Sequence, residues 1–86
     1  MGKALIIYRA TPRYMEKLDE TIKEIEGIKS GEVVDIKKEP IGFGVTVLKV
    51  GVMVKDKEAN AVEKVTEELN SLPLVEEAEQ QEMTLI

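Results

Sequence analysis

The residue types that most often carry enzyme chemistry are missing from this chain of 86 residues. It contains no cysteine and no histidine, so it has no thiol nucleophile, no thiolate metal site and no imidazole to act as a general base. Its 17 aspartates and glutamates include no pair in apolar surroundings that would separate two pKa values for acid–base catalysis. We therefore expect a protein that is not an enzyme, with no catalytic residue, no metal site and no cofactor.

The sequence also lacks the glycine-rich loops that bind phosphate groups. No segment fits the pattern GxxxxGK[ST]. Gly42-Phe43-Gly44 begins like a dinucleotide-binding fingerprint, but it precedes a strand pattern instead of opening a helix, and Val47 stands where the third glycine belongs. These glycines therefore need another explanation.

The hexapeptide Glu39-Pro40-Ile41-Gly42-Phe43-Gly44 is the most informative stretch, because it places the only phenylalanine of the chain between two glycines. Glycine leaves space around the ring and allows backbone angles closed to other residues, while proline stiffens the approach and has no N–H for a sheet ladder. Such a ring can anchor a protein partner. It can equally fold back into the core, where large aromatic side chains usually lie. The residues alone leave both interpretations open.

The charge of the chain argues against nucleic acid as a direct partner. Its formal net charge is −5, whereas phosphate binding requires clustered lysine and arginine. The charges are unevenly spread, and such runs are most often solvated faces. Lysines lie in the middle of the chain and glutamates near its end: Lys37, Lys38, Lys49, Lys55 and Lys57, then Glu76, Glu77, Glu79 and Glu82.

Membrane and export signals are not found in the sequence. It has no run of about 18 apolar residues, the length that would span a membrane. Met1-Gly2-Lys3 leads into a strand pattern without an apolar signal core. We expect a cytoplasmic protein with no membrane partner.

Alternating or continuous apolar residues predict strands at residues 3–10, 33–39 and 43–54. In the second strand, Val34 and Ile36 should share one face, with Asp35 and Lys37 on the other. In the third strand the core face and the opposite face each have four members. These are Leu48, Val50, Val52 and Val54 toward the core, and Val47, Lys49, Gly51 and Met53 away from it.

Apolar residues at helical spacing predict two amphipathic helices, from Met15 to Ile28 and from Val62 to Leu72. Asn60 and Glu63 resemble the start of a capping box for the second helix. Residues 74–86 are ambiguous, because their glutamates favour a helix. Pro73 separates them from the preceding helix and their last residues are apolar, so we predict a final strand.

The order strand, helix, strand, strand, helix, strand predicts an α+β fold over a single domain, residues 1–86. It is a two-layer ferredoxin-like βαββαβ sandwich, with a four-stranded antiparallel sheet and two helices on one face. The other face of the sheet is left open to solvent. This fold hosts many functions and does not choose between them.

Two interaction roles for the open face remain as alternatives to any more specific function. The segment from Ile41 to Leu48 partly fits the signature of an RNA recognition motif, but Ile41 replaces its basic residue, and Val45 and Leu48 replace its stacking aromatics. A regulatory or scaffolding module could instead use Val47, Gly51 and Met53 to pair with itself or with another protein.

The hexapeptide, the β-rich run that follows it through Val50, and Lys55-Asp56-Lys57 together resemble archaeal-type translation elongation factor 1-beta. The chain is also similar to the C-terminal catalytic domain of the eukaryotic beta subunit. The resemblance covers nearly the whole chain in length and element order. It implies a guanine-nucleotide exchange factor that promotes GDP release from elongation factor 1-alpha so that GTP can rebind, with no chemistry of its own.

The resemblance also implies which residues bind the GTPase, with Phe43 inserted into an apolar pocket. Eukaryotic members carry a penultimate lysine that reaches toward the nucleotide-bound magnesium; here that position is Leu85, and no lysine follows Lys64. We expect an ordered final strand that supplies an apolar contact instead, and a monomer when free. The expected partner-binding residues are Pro40, Ile41, Gly42, Phe43, Gly44, Leu85 and Ile86.

Overall fold

The computed structural model describes residues 2–55 and 60–86, so Asp56 and Lys57 of the sequence resemblance lie outside the described residues. The element order confirms the prediction from sequence. The strands are β1 (Lys3–Pro12), β2 (Glu32–Gly42), β3 (Val45–Lys55) and β4 (Val75–Leu85). The helices are α1 (Leu18–Glu26), preceded by one 3₁₀ turn (Met15–Lys17), and α2 (Ala61–Ser71).

The strands form one four-stranded sheet in the order β2-β3-β1-β4, with every neighbouring pair antiparallel. Both helices contribute to a single apolar cluster on one face of this sheet. The fold is therefore the predicted ferredoxin-like α+β sandwich. Within the described residues, neither helix is long and apolar enough to cross a membrane.

The core forms because alternate residues of the two central strands meet the apolar stripes of the helices. Burying one large aliphatic side chain contributes about 1.5–3 kcal/mol, so this layer supplies most of the favourable folding energy. The predicted core face of β3 is confirmed. The buried residues include Ala4, Ile6 and Tyr8 of β1, Leu48, Val50, Val52 and Val54 of β3, Ile25 of α1, and Ala61, Val65 and Leu69 of α2.

Tyr8 is the largest buried side chain, and its hydroxyl links the sheet to α2. It donates to the backbone oxygen of Val62 at 3.2 Å and shares a hydrogen bond with the Thr66 hydroxyl at 2.9 Å. Burial raises the pKa of the Tyr8 hydroxyl, and the hydrogen bond with Thr66 offsets only part of that rise. A buried polar atom is thus fully satisfied within the core.

Strand β2 contains a bulge that the sequence pattern did not reveal. Val33 lies opposite Val52, but the next pair is Asp35 with Gly51, so Val34 is an extra residue. Val33 and Ile36 therefore pack against the core, while Val34 is 48% exposed. The prediction that Val34 and Ile36 share a face is wrong, because one inserted residue reverses the alternation of side chains.

The start of α2 also differs from the prediction. Asn60 occupies the N-cap position but makes no side-chain hydrogen bond to the helix end. Its backbone angles, φ −105° and ψ 11°, are not the extended ones from which a capping side chain reaches back. The proposed capping box is therefore wrong.

The C-terminal segment is an ordered strand, as predicted. Strand β4 pairs with β1 along its length, and beyond it the Ile86 backbone N–H donates to the Lys3 oxygen at 2.8 Å. The amide side chain of Asn70 adds support from α2, since it accepts from the Ala78 N–H at 2.9 Å and donates to the Ala78 oxygen at 3.2 Å. Pairing and the burial of Val75 and Ala78 override the helical preference of the glutamates.

The loop between α1 and β2 is held by the carboxylate of Glu68 on α2. This carboxylate accepts from the backbone N–H groups of Lys29 (3.1 Å) and Ser30 (2.9 Å) and from the Ser30 hydroxyl at 2.5 Å. Partial burial acts to raise the pKa of Glu68, but these hydrogen bonds and the charge of Lys29 outweigh it and hold the pKa below its usual value. The carboxylate form is therefore preferred in the folded state.

We predict that Glu68→Gln lowers the free energy of unfolding at about pH 7 by about 1–2 kcal/mol, since charge-assisted hydrogen bonds are replaced by neutral ones. Because the folded pKa lies below the unfolded value of about 4.3, this stabilisation is present above that value and is lost as the pH falls through the folded pKa. Urea unfolding of both proteins at about pH 7 and about pH 3 measures the effect. An equal difference at both pH values would contradict this role of the carboxylate.

Candidate functional site

The β2–β3 hairpin closes through a two-residue turn, Phe43 and Gly44, with Gly42 opposite Val45. The φ angles of the two turn residues are positive, 56° and 75°. Positive φ at both central residues characterises the type I′ turn, whose twist matches that of the flanking strands. Gly42, with φ 101°, also adopts an angle that favours glycine.

Phe43 is an unusual residue for this turn position. A bulky non-glycine residue with positive φ is an outlier, and such strain costs about 1–3 kcal/mol. No packing contact within the described residues compensates for this strain, since the Phe43 side chain is fully exposed, at 105%. The interpretation in which the ring folds back into the core is therefore wrong. The ring is held away from the domain at the tip of the hairpin.

Pro40 and Ile41 form the base of this tip. Pro40 lies opposite Thr46, and the register then shifts so that Ile41 is an extra residue with 55% exposure. Proline is tolerated here because β2 is an edge strand. Ile41 and Phe43 together give the hairpin an apolar end.

The hairpin is supported by the segment before α1, which sequence analysis did not connect with the site. The Thr46 backbone N–H donates to the Met15 sulfur at 3.4 Å. Next to it, Tyr14 is 46% exposed, and the Lys17 ammonium lies 5.7 Å from its ring centroid. Met15 marks the start of an amphipathic pattern, so its spacing predicted a core residue and gave no sign of this contact.

Leu85 and Ile86 are exposed, at 64% and 68%, but they lie at the other end of the sheet. Leu85 is opposite Ala4, which is itself opposite Val54. The hairpin end is marked by Val45, and at about 3.3 Å per residue the strand from there to Val54 covers about 30 Å. The seven predicted residues therefore form two groups, Pro40 to Gly44 and Leu85 with Ile86, and the structure does not bring the groups together.

The open sheet face differs in two respects from the patch predicted for a scaffolding role. Val47 is only 2% exposed although it faces away from the helices. Glu39 lies opposite it and forms an ion pair with Lys49, so these two side chains flank Val47. The three aromatic residues also lie elsewhere, since Tyr8 is in the core and Tyr14 and Phe43 are outside the strands. The face therefore has no ring on which a nucleobase would stack.

We predict that Phe43→Asn stabilises the free protein by about 1 kcal/mol, because Asn-Gly is the preferred pair for a type I′ turn and tolerates positive φ. Thermal unfolding of the two proteins measures the effect. A lower melting temperature for the variant would show that the Phe43 ring contributes to folding, contrary to its exposure.

Comparison with known proteins gives a consistent result. Residues 9–86 match the family described as the EF-1 guanine nucleotide exchange domain. The chain is 38% identical over 86 residues to elongation factor 1-beta of Methanospirillum hungatei, covering 100% of both chains. It is 40% identical over 92 residues to elongation factor 1-beta of Methanoregula boonei, covering 99% of each chain.

A third archaeal relative, elongation factor 1-beta of Methanosphaerula palustris, is 38% identical over 87 residues and is also covered to 99%. Among solved structures, the C-terminal domain of the MgtC protein from Mycobacterium tuberculosis aligns with a TM-score of 0.49 at 13% identity, covering 100% of this chain and 86% of that one. That likeness is too weak to bear on function.

Proposed function

The chain belongs to the elongation factor 1-beta family, and on this premise we propose that it promotes the release of GDP from elongation factor 1-alpha so that GTP can bind. Family membership assigns a general role, guanine-nucleotide exchange in translation elongation. The identity of the partner GTPase and the acceleration of GDP release are what we propose. In this role the protein acts on a GTPase and makes or breaks no covalent bond itself.

The mechanism requires only differential binding. An exchange factor binds the nucleotide-free GTPase more tightly than the GDP-bound form, and reciprocity then requires it to weaken GDP binding by the same factor. Magnesium and the phosphate loop hold the bound phosphates, so displacing either is sufficient. A chain without histidine, cysteine or a nucleotide loop can perform this task.

The exposed Phe43 ring is the observation that carries the proposal. Burying it in an apolar pocket of the GTPase would contribute about 1.5–3 kcal/mol. The turn already fixes the backbone of Phe43, so the conformational entropy lost on binding is confined largely to the two side-chain torsions of the ring. A Cβ atom placed on Gly42 or Gly44 would meet nothing within 4 Å, so the space beside the ring is open to a partner's backbone.

Leu85 and Ile86 supply a second apolar contact in this proposal. Their distance from Phe43, about 30 Å along β3, is too great for one pocket to hold both groups. The GTPase must therefore meet the factor at two places. At the C-terminal end, the apolar side chains of Leu85 and Ile86 displace the nucleotide-binding region of the GTPase by their bulk.

We predict that Phe43→Ala slows GDP release by about 10- to 100-fold at a subsaturating factor concentration, which is the loss expected from one buried aromatic anchor. The measurement uses an archaeal elongation factor 1-alpha loaded with fluorescent GDP, mixed with the factor and excess GTP. Phe43→Leu is the matched control, since it keeps an apolar side chain at the tip and should retain part of the rate.

Circular dichroism of Phe43→Ala must match that of the natural protein for this comparison to hold. Release at the unaltered rate by a folded Phe43→Ala protein would eliminate the anchor role.

At the C-terminus, we predict that deleting residues 84–86 slows exchange without unfolding the domain. The deletion removes only the last pairs of an edge strand and two exposed apolar side chains. Leu85→Lys, which keeps the chain length, should retain exchange because the contact depends on bulk. The same release assay and a thermal unfolding curve measure both variants; an unchanged rate after deletion would confine the working surface to the hairpin.

A further inference from the structure

The open face of the sheet carries a row of like charges that the isolated fold does not explain. Lys49 on β3 lies directly opposite Lys37 on β2 and directly opposite Arg9 on β1. Like charges in register on neighbouring strands destabilise a sheet. Three cations side by side therefore oppose folding.

The acidic residues near this row compensate for it only weakly. Each cation has one carboxylate at 3.9–4.0 Å, and all six side chains are at least 45% exposed. Exposed ion pairs of this length contribute little to stability. The row can therefore accept a further anion. The pairs are Lys49 with Glu39, Lys37 with Asp35, and Arg9 with Glu79.

Gly51, two residues beyond Lys49, is a second feature of this face, and it lies opposite Asp35 at the bulge of β2. Its φ is not in the left-handed region. A Cβ atom there would make only ordinary contacts, 3.6–3.7 Å from Leu5, Val34 and Ile7. Glycine inside a central strand is destabilising, and it often marks a bulge or a place where another molecule approaches the sheet closely. The space above Gly51 leaves room for such an approach.

These features meet in one depression on the open face, with a volume of about 220 Å³. Its floor consists of Gly51 and the apolar side chains of Leu5, Ile7 and Val34. The rest of its lining is Lys37, Lys49, Asp35 and Glu82. Small-molecule sites are usually larger, about 300–1,000 Å³, so this space suits one side chain of a macromolecular partner.

We propose that this depression, the Gly51 depression, receives an apolar side chain of the GTPase while a neighbouring carboxylate of the GTPase contacts Lys37 and Lys49. The inference rests on the proposed function, because Gly51 lies on β3 between the hairpin end and the C-terminal end. A GTPase that contacts both ends along the open face covers the depression. Its carboxylate then relieves the like-charge repulsion within the row.

A protein segment fits this site better than a nucleic acid. The open face has no aromatic side chain on which a base would stack. Asp35 and Glu82 also line the depression, where they can accept hydrogen bonds from the backbone N–H groups of a protein partner, which a phosphate backbone lacks.

The test measures fluorescent GDP release from elongation factor 1-alpha over a range of factor concentrations, using the full chain. Gly51→Val fills the depression with a residue that favours strands, and Lys49→Glu reverses one charge of the row. Lys64→Glu is the matched control, since it makes the same charge change at an exposed position of α2. We expect the first two variants to raise the half-maximal concentration about tenfold, and Lys64→Glu to raise it less than about twofold.

Several results would overturn the inference. If the natural protein releases GDP and Phe43→Ala impairs it, but both open-face variants behave like Lys64→Glu, the inference fails and the proposed function stands. If the natural protein releases no GDP, both fail. Light scattering that shows a dimer dissociated by Lys49→Glu would assign the face to a second copy. Binding of fluorescent single-stranded RNA, measured by anisotropy and lost in Lys49→Glu, would assign the face to RNA.

Thermal unfolding shows whether each variant is folded. Should Gly51→Val fail to fold, Lys49→Glu and Lys37→Glu carry the test, because both positions are solvent-exposed and neither fills space in the core.

Discussion

The pairing register of β3 is the constraint on which the rest of the structure depends. This strand is hydrogen-bonded to β1 on one side and to β2 on the other, and its core face alternates with its open face. A slip of one residue would turn Leu48, Val50 and Val52 to solvent, so the apolar core fixes the register. The same register fixes the hairpin tip at one end and the C-terminus at the other. Core packing thus determines the spacing of surface residues that take no part in the core.

The hairpin turn shows how folding energy supports a strained backbone element. Phe43 adopts a positive φ that costs about 1–3 kcal/mol, a noticeable share of the 5–15 kcal/mol typical of a small domain. The strain persists because two long strands meet at the turn and their register leaves it no alternative. Gly42 and Gly44 carry the remaining left-handed angles without strain. The sheet therefore fixes the backbone of Phe43 at the hairpin tip, and the exposed ring makes no contribution to the core.

The spacing of apolar residues was sufficient to predict the strands and helices, but it did not predict the buried side of every strand. The spacing of Leu48, Val50 and Val52 predicts both the strand and its buried side. Val33 and Val34 are both apolar, so alternation could not indicate which of them a bulge would expel. The sequence pattern began the third strand at Phe43, whereas β3 begins at Val45 and Phe43 lies in the turn. Large aromatics are usually buried, so the full exposure of Phe43 followed only from the turn conformation. The separation of Phe43 from Leu85 depends on strand register, which no local pattern contains.

In the proposed exchange mechanism, the rigidity of the sheet determines which partner changes shape. A factor can shift its GTPase only by the difference between its affinities for the two states. Were the hairpin and the C-terminal end joined by a hinge, the factor would adjust to the GDP-bound form and that difference would vanish. The unbroken strand β3 reaches both ends. Tyr8 of β1 is hydrogen-bonded to α2, and Glu68 of α2 is hydrogen-bonded to the loop that leads into β2, so the helix layer is fixed to the sheet. The spacing of the two contacts is therefore fixed before binding, and the GTPase must move to satisfy both.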